Sequence, residues 1–84
     1  MSEQVQRERV CSTGLASRVG AFLRKRREYL GLTIDDVGRD ALIHPSNVAR
    51  YERGDGCTSL DRYQRMAKAL GFRLFEVIRH AERE

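Results

Sequence analysis

The sequence predicts an all-α domain of five short helices, and three observations carry that prediction. Apolar residues recur three or four positions apart in five successive stretches, the period of one helix face. Each stretch is bounded by Gly, or by Thr, Ser or Pro at positions that start helices. No stretch alternates apolar and polar residues between turn signals, as a half-buried strand would. Eighty-four residues leave room for one core only, and 33% charged residues of interspersed sign suit the solvated surface around it.

Residues 1–14 are polar, with isolated Val5, Val10 and Cys11, and read as an arm ahead of a domain spanning 15–84. In the first helix Leu15, Val19, Phe22, Leu23 and Leu30 form one stripe that Gly31 stops, while Arg18, Ala21, Arg24, Lys25 and Glu28 face away. Thr33 opens the second helix. With Asp36 three residues on it makes a short capping box, and Asp35 and Asp36 both sit where the helix dipole favours acids. Val37 and Ala41 are core positions. Gly38 costs about 1 kcal/mol against Ala in mid-helix, which a helix passing close over it would explain. Leu42-Ile43-His44 is long enough only for a tight connection.

Pro45 suits the first position of the third helix, where its missing N–H is harmless and its φ preset. Val48 and Tyr51 mark the buried face, and Ser46, Ala49, Arg50 and Arg53 share the opposite one. Gly54-Asp55-Gly56 ends the helix. Thr58 or Ser59 caps a fourth, carrying Leu60, Tyr63, Ala67 and Leu70 and stopped by Gly71. Leu74, Val77, Ile78 and Ala81 make the last stripe. The expected core is Leu23, Leu30, Val37, Ile43, Val48, Leu60, Ala67 and Leu70.

Lys plus Arg number 16 against 12 Asp plus Glu, a net charge of +4. The excess is local: Arg18, Arg24, Lys25, Arg26 and Arg27 face only Glu28 within residues 18–31. Such a stripe points to a polyanion partner, and equally fits a solvated helix face. Cys11 and Cys57 are two isolated cysteines behind no apolar targeting run, so a reduced cytoplasmic setting is the default and no disulfide framework is expected. Cys57 then reads as a small residue, with a redox switch the sharper alternative. His44 and His80 lack metal-ligand spacing, and neither a phosphate loop nor a nucleophile motif is present. No metal, cofactor or enzyme activity is expected.

Two helices of about nine residues joined by a tight turn are a helix-turn-helix unit. Residues 32–54, LTIDDVGRDALIHPSNVARYERG, resemble the Cro/phage-repressor, or xenobiotic-response-element, family of that unit, and the resemblance extends over about residues 18–78. It rests on Leu32-Thr33, Val37, a small Gly38, Ile43, Val48, Arg50-Tyr51-Glu52-Arg53-Gly54, Ser59-Leu60 and Met66-Ala67-Lys68-Ala69-Leu70-Gly71. Departures are Leu42 for the usual turn Gly, Ile34 for a phosphate-gripping Gln, His44-Pro45 where Ser, Thr or Gln often begins the third helix, and Arg26 for an apolar residue.

The resemblance implies a five-helix, lambda-repressor-like domain whose third helix enters the major groove of double-stranded DNA. Ser46, Asn47, Ala49 and Arg50, with His44 beside them, are then the base readers. Arg50 has the fork for guanine, whereas Ser46 and Asn47 also suit plain first-turn capping. Phosphate contacts are expected from Thr33, Arg53, Gly54, Ser59 and Arg24, although Arg53 equally fits a charge at a helix C-terminus. A two-fold homodimer is expected to use Phe72, Phe75 and Ile78. Glu52 needs a cation near its helix end. Periodicity puts Arg26 nearer the centre of the apolar stripe, and the resemblance favours Arg27, the partner chosen here. The function implied is a sequence-specific transcriptional regulator of bacterial or phage type, a repressor on a palindromic operator. The alternatives are a helical protein-interaction adaptor and an antitoxin that binds both toxin and DNA.

Overall fold

The computed structural model describes residues 14–83. Residues 1–13, which include Cys11 and nearly all of the expected arm, and Glu84 lie outside the described residues. Five helices follow one another: α1 Leu15–Tyr29, α2 Ile34–Ala41, α3 Pro45–Arg53, α4 Leu60–Ala69 and α5 Leu74–Arg83. Each begins and ends for a local reason. Thr33 and Asp36 close a full capping box, with the Asp36 amide donating to Thr33 Oγ1 (3.0 Å) and the Thr33 amide to Asp36 Oδ2 (2.9 Å). Those bonds, the backbone one first, hold the Asp36 carboxyl below its usual pKa. Pro45 is the first residue of α3, and Ser59, rather than Thr58, caps α4 through the Arg62 amide.

Helix α1 packs on α3 and α5, α2 packs on α3 and α4, and α4 on α5. Their apolar faces meet in a core whose fully buried large side chains are Leu23, Met66, Leu70, Val37, Val48 and Val77. Two expected core members are outside it. Leu30 is 40% exposed, because α1 stops at Tyr29 and Leu30 forms its C-cap, so the helical period no longer applies. Leu32 packs against the core from that end. Leu60 is 69% exposed, since as the first residue of α4 it lies at the rim rather than the centre.

Gly38 is explained by its own turn rather than by a passing helix. A Cβ there would fall 2.6 Å from the Ile43 carbonyl oxygen and 3.5 Å from Pro45. Gly20 has the stronger steric demand: a Cβ would sit 2.2 Å from the Tyr51 carbonyl oxygen and 2.8 Å from that of Glu52. Helix α1 therefore lies backbone-close on the last turn of α3. In the turn itself Leu42 occupies the left-handed region (φ 60°, ψ 46°), the one non-glycine with positive φ among the described residues, and it is 81% exposed. An L-residue there costs about 1–2 kcal/mol.

Several cations, among them Arg18 and Arg26 of the stripe that sequence reading assigns to the basic surface, are spent on architecture. Arg18 Nε donates to the Ala81 carbonyl (2.9 Å), Arg65 Nε to the Ala41 carbonyl (2.8 Å) and Arg26 Nε to the Leu70 carbonyl (3.4 Å). These are acceptors in the last turns or caps of α5, α2 and α4, which the helices themselves cannot satisfy. The Arg26 guanidinium also lies over the rings of Phe72 (4.9 Å) and Tyr29 (5.2 Å). Its stem is thus pinned between aromatics instead of extending freely to water. Arg27 takes Glu52. Its Nε and Nη2 donate to the two carboxylate oxygens at 2.8 and 3.1 Å, and Nη1 donates to the Leu32 carbonyl at 3.0 Å.

Candidate nucleic-acid interface

Helices α2 and α3 are joined by residues 42–44 alone, so α3 is held at an angle across α2 with its outer face free. Along α3 the buried residues are Val48, Tyr51 and Glu52. Ser46, Arg50 and Arg53 are exposed, and Asn47 and Ala49 are half-buried. Every expected reader except His44 is thus on the helix proper. His44 is its N-cap: Nδ1 accepts the Ser46 amide (3.1 Å) and lies 2.8 Å from Ser46 Oγ. An acceptor Nδ1 puts the proton of the neutral ring on Nε2. The same contact occupies Ser46, so the first turn is braced by the pair His44–Ser46.

Arg50 is available. Among the described residues no carboxylate lies within salt-bridge distance of it, because Glu52 is taken by Arg27 and Asp55 by Arg53 (Nε to Oδ2, 2.8 Å). Its guanidinium rests 5.8 Å from the centre of the Tyr51 ring and beside Gly56, where a Cβ would come within 3.2 Å of Nη2. The Thr58 side chain beside the Tyr51 hydroxyl, and Arg62 after it, draw the Tyr51 pKa down.

The expected phosphate contacts divide by what already engages them. Both polar groups of Thr33 are committed to Asp36. Gly54 is the left-handed C-cap of α3 (φ 75°) and its amide donates to the Tyr51 carbonyl, while the Asp55 amide donates to Arg50. Those two amides belong to the cap. Ser59 Oγ accepts from Arg62 and retains a hydroxyl proton to donate. Arg24 and Arg53 hold exposed carboxylates, Glu28 at 3.1 Å and Asp55 at 2.8 Å. Exposed pairs of this kind are worth about 0–1 kcal/mol, so a phosphate replaces either carboxylate at small cost. The two arginines converge: together with Ile34 and Ala49 they line a cleft of about 200 Å³ between α1, α2 and α3. Sequence reading had no signal for that cleft, since its residues are spread over three helices.

A family model described as "Helix-turn-helix domain" matches residues 18–77. The chain belongs to the helix-turn-helix domain family. Its resemblance to the Cro/phage-repressor type agrees with two solved structures. The clp gene regulator ClgR from Corynebacterium glutamicum has 25% identity and a TM-score of 0.78, covering 84% of this chain and 76% of that one. The restriction-modification controller protein C.AhdI from Aeromonas hydrophila has 27% identity and a TM-score of 0.70, covering 74% and 94%. Membership places the chain among DNA-binding helix-turn-helix regulators. By sequence the chain is also 38% identical over 52 residues to human Protein FAM43A, and equally to the mouse protein. The match covers 62% of this chain but only 12% of the length of those two relatives.

Three further placements qualify the sequence reading. Phe75 is 58% exposed on α5, whereas Phe72 packs edge-on against Phe22 (5.3 Å) and Ile78 is half-buried beside Leu74. Of the expected dimer residues, Phe72 and Phe75 line one cleft and Ile78 lines another. Cys57 is disulfide-bonded, which corrects its reading as an isolated thiol. No helix among the described residues is long and apolar enough to cross a membrane.

Proposed function

We propose that the chain is a sequence-specific transcriptional regulator that lays α3 in the major groove of double-stranded DNA. The observation that carries this is the state of Arg50, an exposed guanidinium with no carboxylate partner among the described residues, at the free face of α3 and beside the Arg24–Arg53 cleft. Arg50 reads guanine through its fork, and Ala49 and Asn47 contact neighbouring bases. Ser46 reads less selectively. His44 works from behind by holding Ser46 and the helix start. Arg24, Arg53 and Ser59 grip phosphates on either side of the groove.

One such unit addresses few base pairs, so the acting form in this reading is a two-fold homodimer on a palindromic operator. Phe75 stands at the dimer contact, as the large exposed apolar side chain of α5. In this reading occupancy of the operator acts directly, as a repressor. Selection of bound sites from a random duplex pool tests the reading. It predicts an inverted repeat containing a guanine in each half-site. A salt titration on random duplex should then show log affinity falling with log salt by about 0.9 per phosphate contact. Binding indifferent to salt, or selected sites sharing no sequence, would overturn it.

A further inference from the structure

An apolar groove opens where the first turns of α1 meet α4 and α5. Leu15, Val19, Leu60, Leu74 and Ile78 form its walls, and it holds about 280 Å³. That is space for on the order of nine water-sized groups. None of the described residues lining it carries a charge, and Cys57 at its edge is disulfide-bonded and so offers no thiol. Tyr63 brings the one hydroxyl to this lining. The residue is 8% exposed, and its oxygen is the single buried side-chain polar atom without a hydrogen bond among the described residues. The Thr58 backbone lies near enough to act on its acidity, but without the geometry of a bond. Burial pushes the Tyr63 pKa up, so the hydroxyl keeps its proton and stays a neutral donor.

Size and charge narrow the occupant. A standard protein interface uses roughly 20–30 residues a side, whereas eight described residues line this groove, so its scale is that of a small molecule. An ionised headgroup would enter without a counter-charge, which burial penalises heavily. A plain hydrocarbon would cover the walls and leave the Tyr63 hydroxyl unmet. A Phe at position 63 would pack the same ring without any unmet group, so the hydroxyl adds nothing to the empty domain. A neutral oxygen acceptor on an aliphatic body satisfies the walls and the hydroxyl together.

We propose that the groove binds a small neutral aliphatic molecule with one oxygen acceptor, a medium-chain ketone, ester or alcohol of about nine heavy atoms. Its chain lies along Leu15, Val19, Leu60, Leu74 and Ile78, and the Tyr63 ring tilts to donate its hydroxyl to the oxygen. The site stands one ring away from α3. The Tyr63 ring is centred 6.2 Å from that of Tyr51, over which the Arg50 guanidinium rests at 5.8 Å.

The test titrates methyl hexyl ketone into the full chain, without DNA, and follows methyl and tyrosine-ring signals by NMR. Saturable shifts are expected at the methyls of Leu15, Val19, Leu60, Leu74 and Ile78 and at the Tyr63 ring. Octanoate at neutral pH should bind at least about tenfold more weakly, because its charge finds no partner. Tyr63→Phe should weaken the ketone about tenfold while leaving the stability of the free domain unchanged or higher. Leu60→Gln, at an exposed position, should weaken the ketone with helical circular dichroism unchanged. Four results overturn the proposal: no saturable shift at the groove methyls, whether the groove is empty or filled by protein; octanoate binding as well as the ketone; equal ketone affinity in Tyr63→Phe; or a large loss of stability in Tyr63→Phe, which would mean that the hydroxyl is already bonded. None of these measurements involves DNA, so their failure leaves the DNA-binding reading untouched.

Discussion

Arg27→Ala is the substitution with the largest expected effect for its size. Glu52 has a side chain only 3% exposed and receives both of its charge-assisted bonds from Arg27, itself 12% exposed. Glu52 in turn raises the Arg27 pKa against the opposing effect of burial. Removing the guanidinium strands a buried carboxylate and also takes the donor from the Leu32 carbonyl. Breaking a buried pair from one side costs about 3–5 kcal/mol. A chain of this length has roughly 4–13 kcal/mol of total stability, so about a quarter of it or more is lost. At about 4–8 °C per kcal/mol, the melting temperature falls by well over 10 °C. Urea unfolding should show a lower midpoint with the slope unchanged, and DNA affinity should drop because α3 loosens on α1. Arg27→Met combined with Glu52→Leu should recover most of the stability, since apolar replacement of a buried pair is often neutral or better. A double-mutant cycle giving coupling below about 0.5 kcal/mol would refute the argument and make the two residues independent surface charges.

Arg50→Ala should relax base preference at one position per half-site by about 1–3 kcal/mol, whereas Arg53→Ala should weaken binding to all duplexes nearly equally and lessen the salt slope by about 1; binding to a panel of operator variants separates the two. Phe75→Glu should yield helical monomers, and an unchanged dimer in sedimentation would remove Phe75 from the contact. Leu42→Gly should stabilise the domain by up to about 1 kcal/mol in urea unfolding, because it relieves the left-handed strain, loses no buried surface and gives back only part of the gain as unfolded-state entropy. The Asp36 carboxyl is held below its usual pKa in the folded state, so its share of stability is full at neutral pH and is lost as pH falls through that lowered value; Asp36→Asn should flatten the dependence of stability on pH below about pH 4.

Much of the architecture was legible because it is written locally. Periods of three and four, a capping box at Thr33, a proline at the first turn of α3 and glycines after α1, α3 and α4 are short-range signals, and each element begins and ends within a residue or two of where they place it. Periodicity misled where an element had already ended, at Leu30, or had barely begun, at Leu60. It also passed over Met66, which is fully buried in α4. The candidate site was less legible. The outward face of α3 follows from helix arithmetic, but which cations remain available there does not. That depends on pairings across 25 or more residues, such as Arg27 with Glu52, and on carbonyl contacts such as Arg18 with Ala81. Gly20 was invisible for the same reason. Nothing near it in sequence shows that Tyr51 and Glu52 press against it.

That close approach at Gly20 separates two kinds of evolutionary change. The residues that mount α3 (Val48, Tyr51 and Glu52) alternate along the helix with those that face outward (Ser46, Asn47, Ala49 and Arg50). If α3 reads DNA as proposed, substitutions among the outward set alter which operator is preferred while the angle of entry stays constant, so target preference can drift one base pair at a time. A side chain introduced at position 20 would displace every outward residue together, and no single compensating substitution on α3 would restore their common aim. In the proposed mode the domain is a fixed mount carrying an exchangeable reading face, and its capacity to acquire new operators depends on a residue that never touches them.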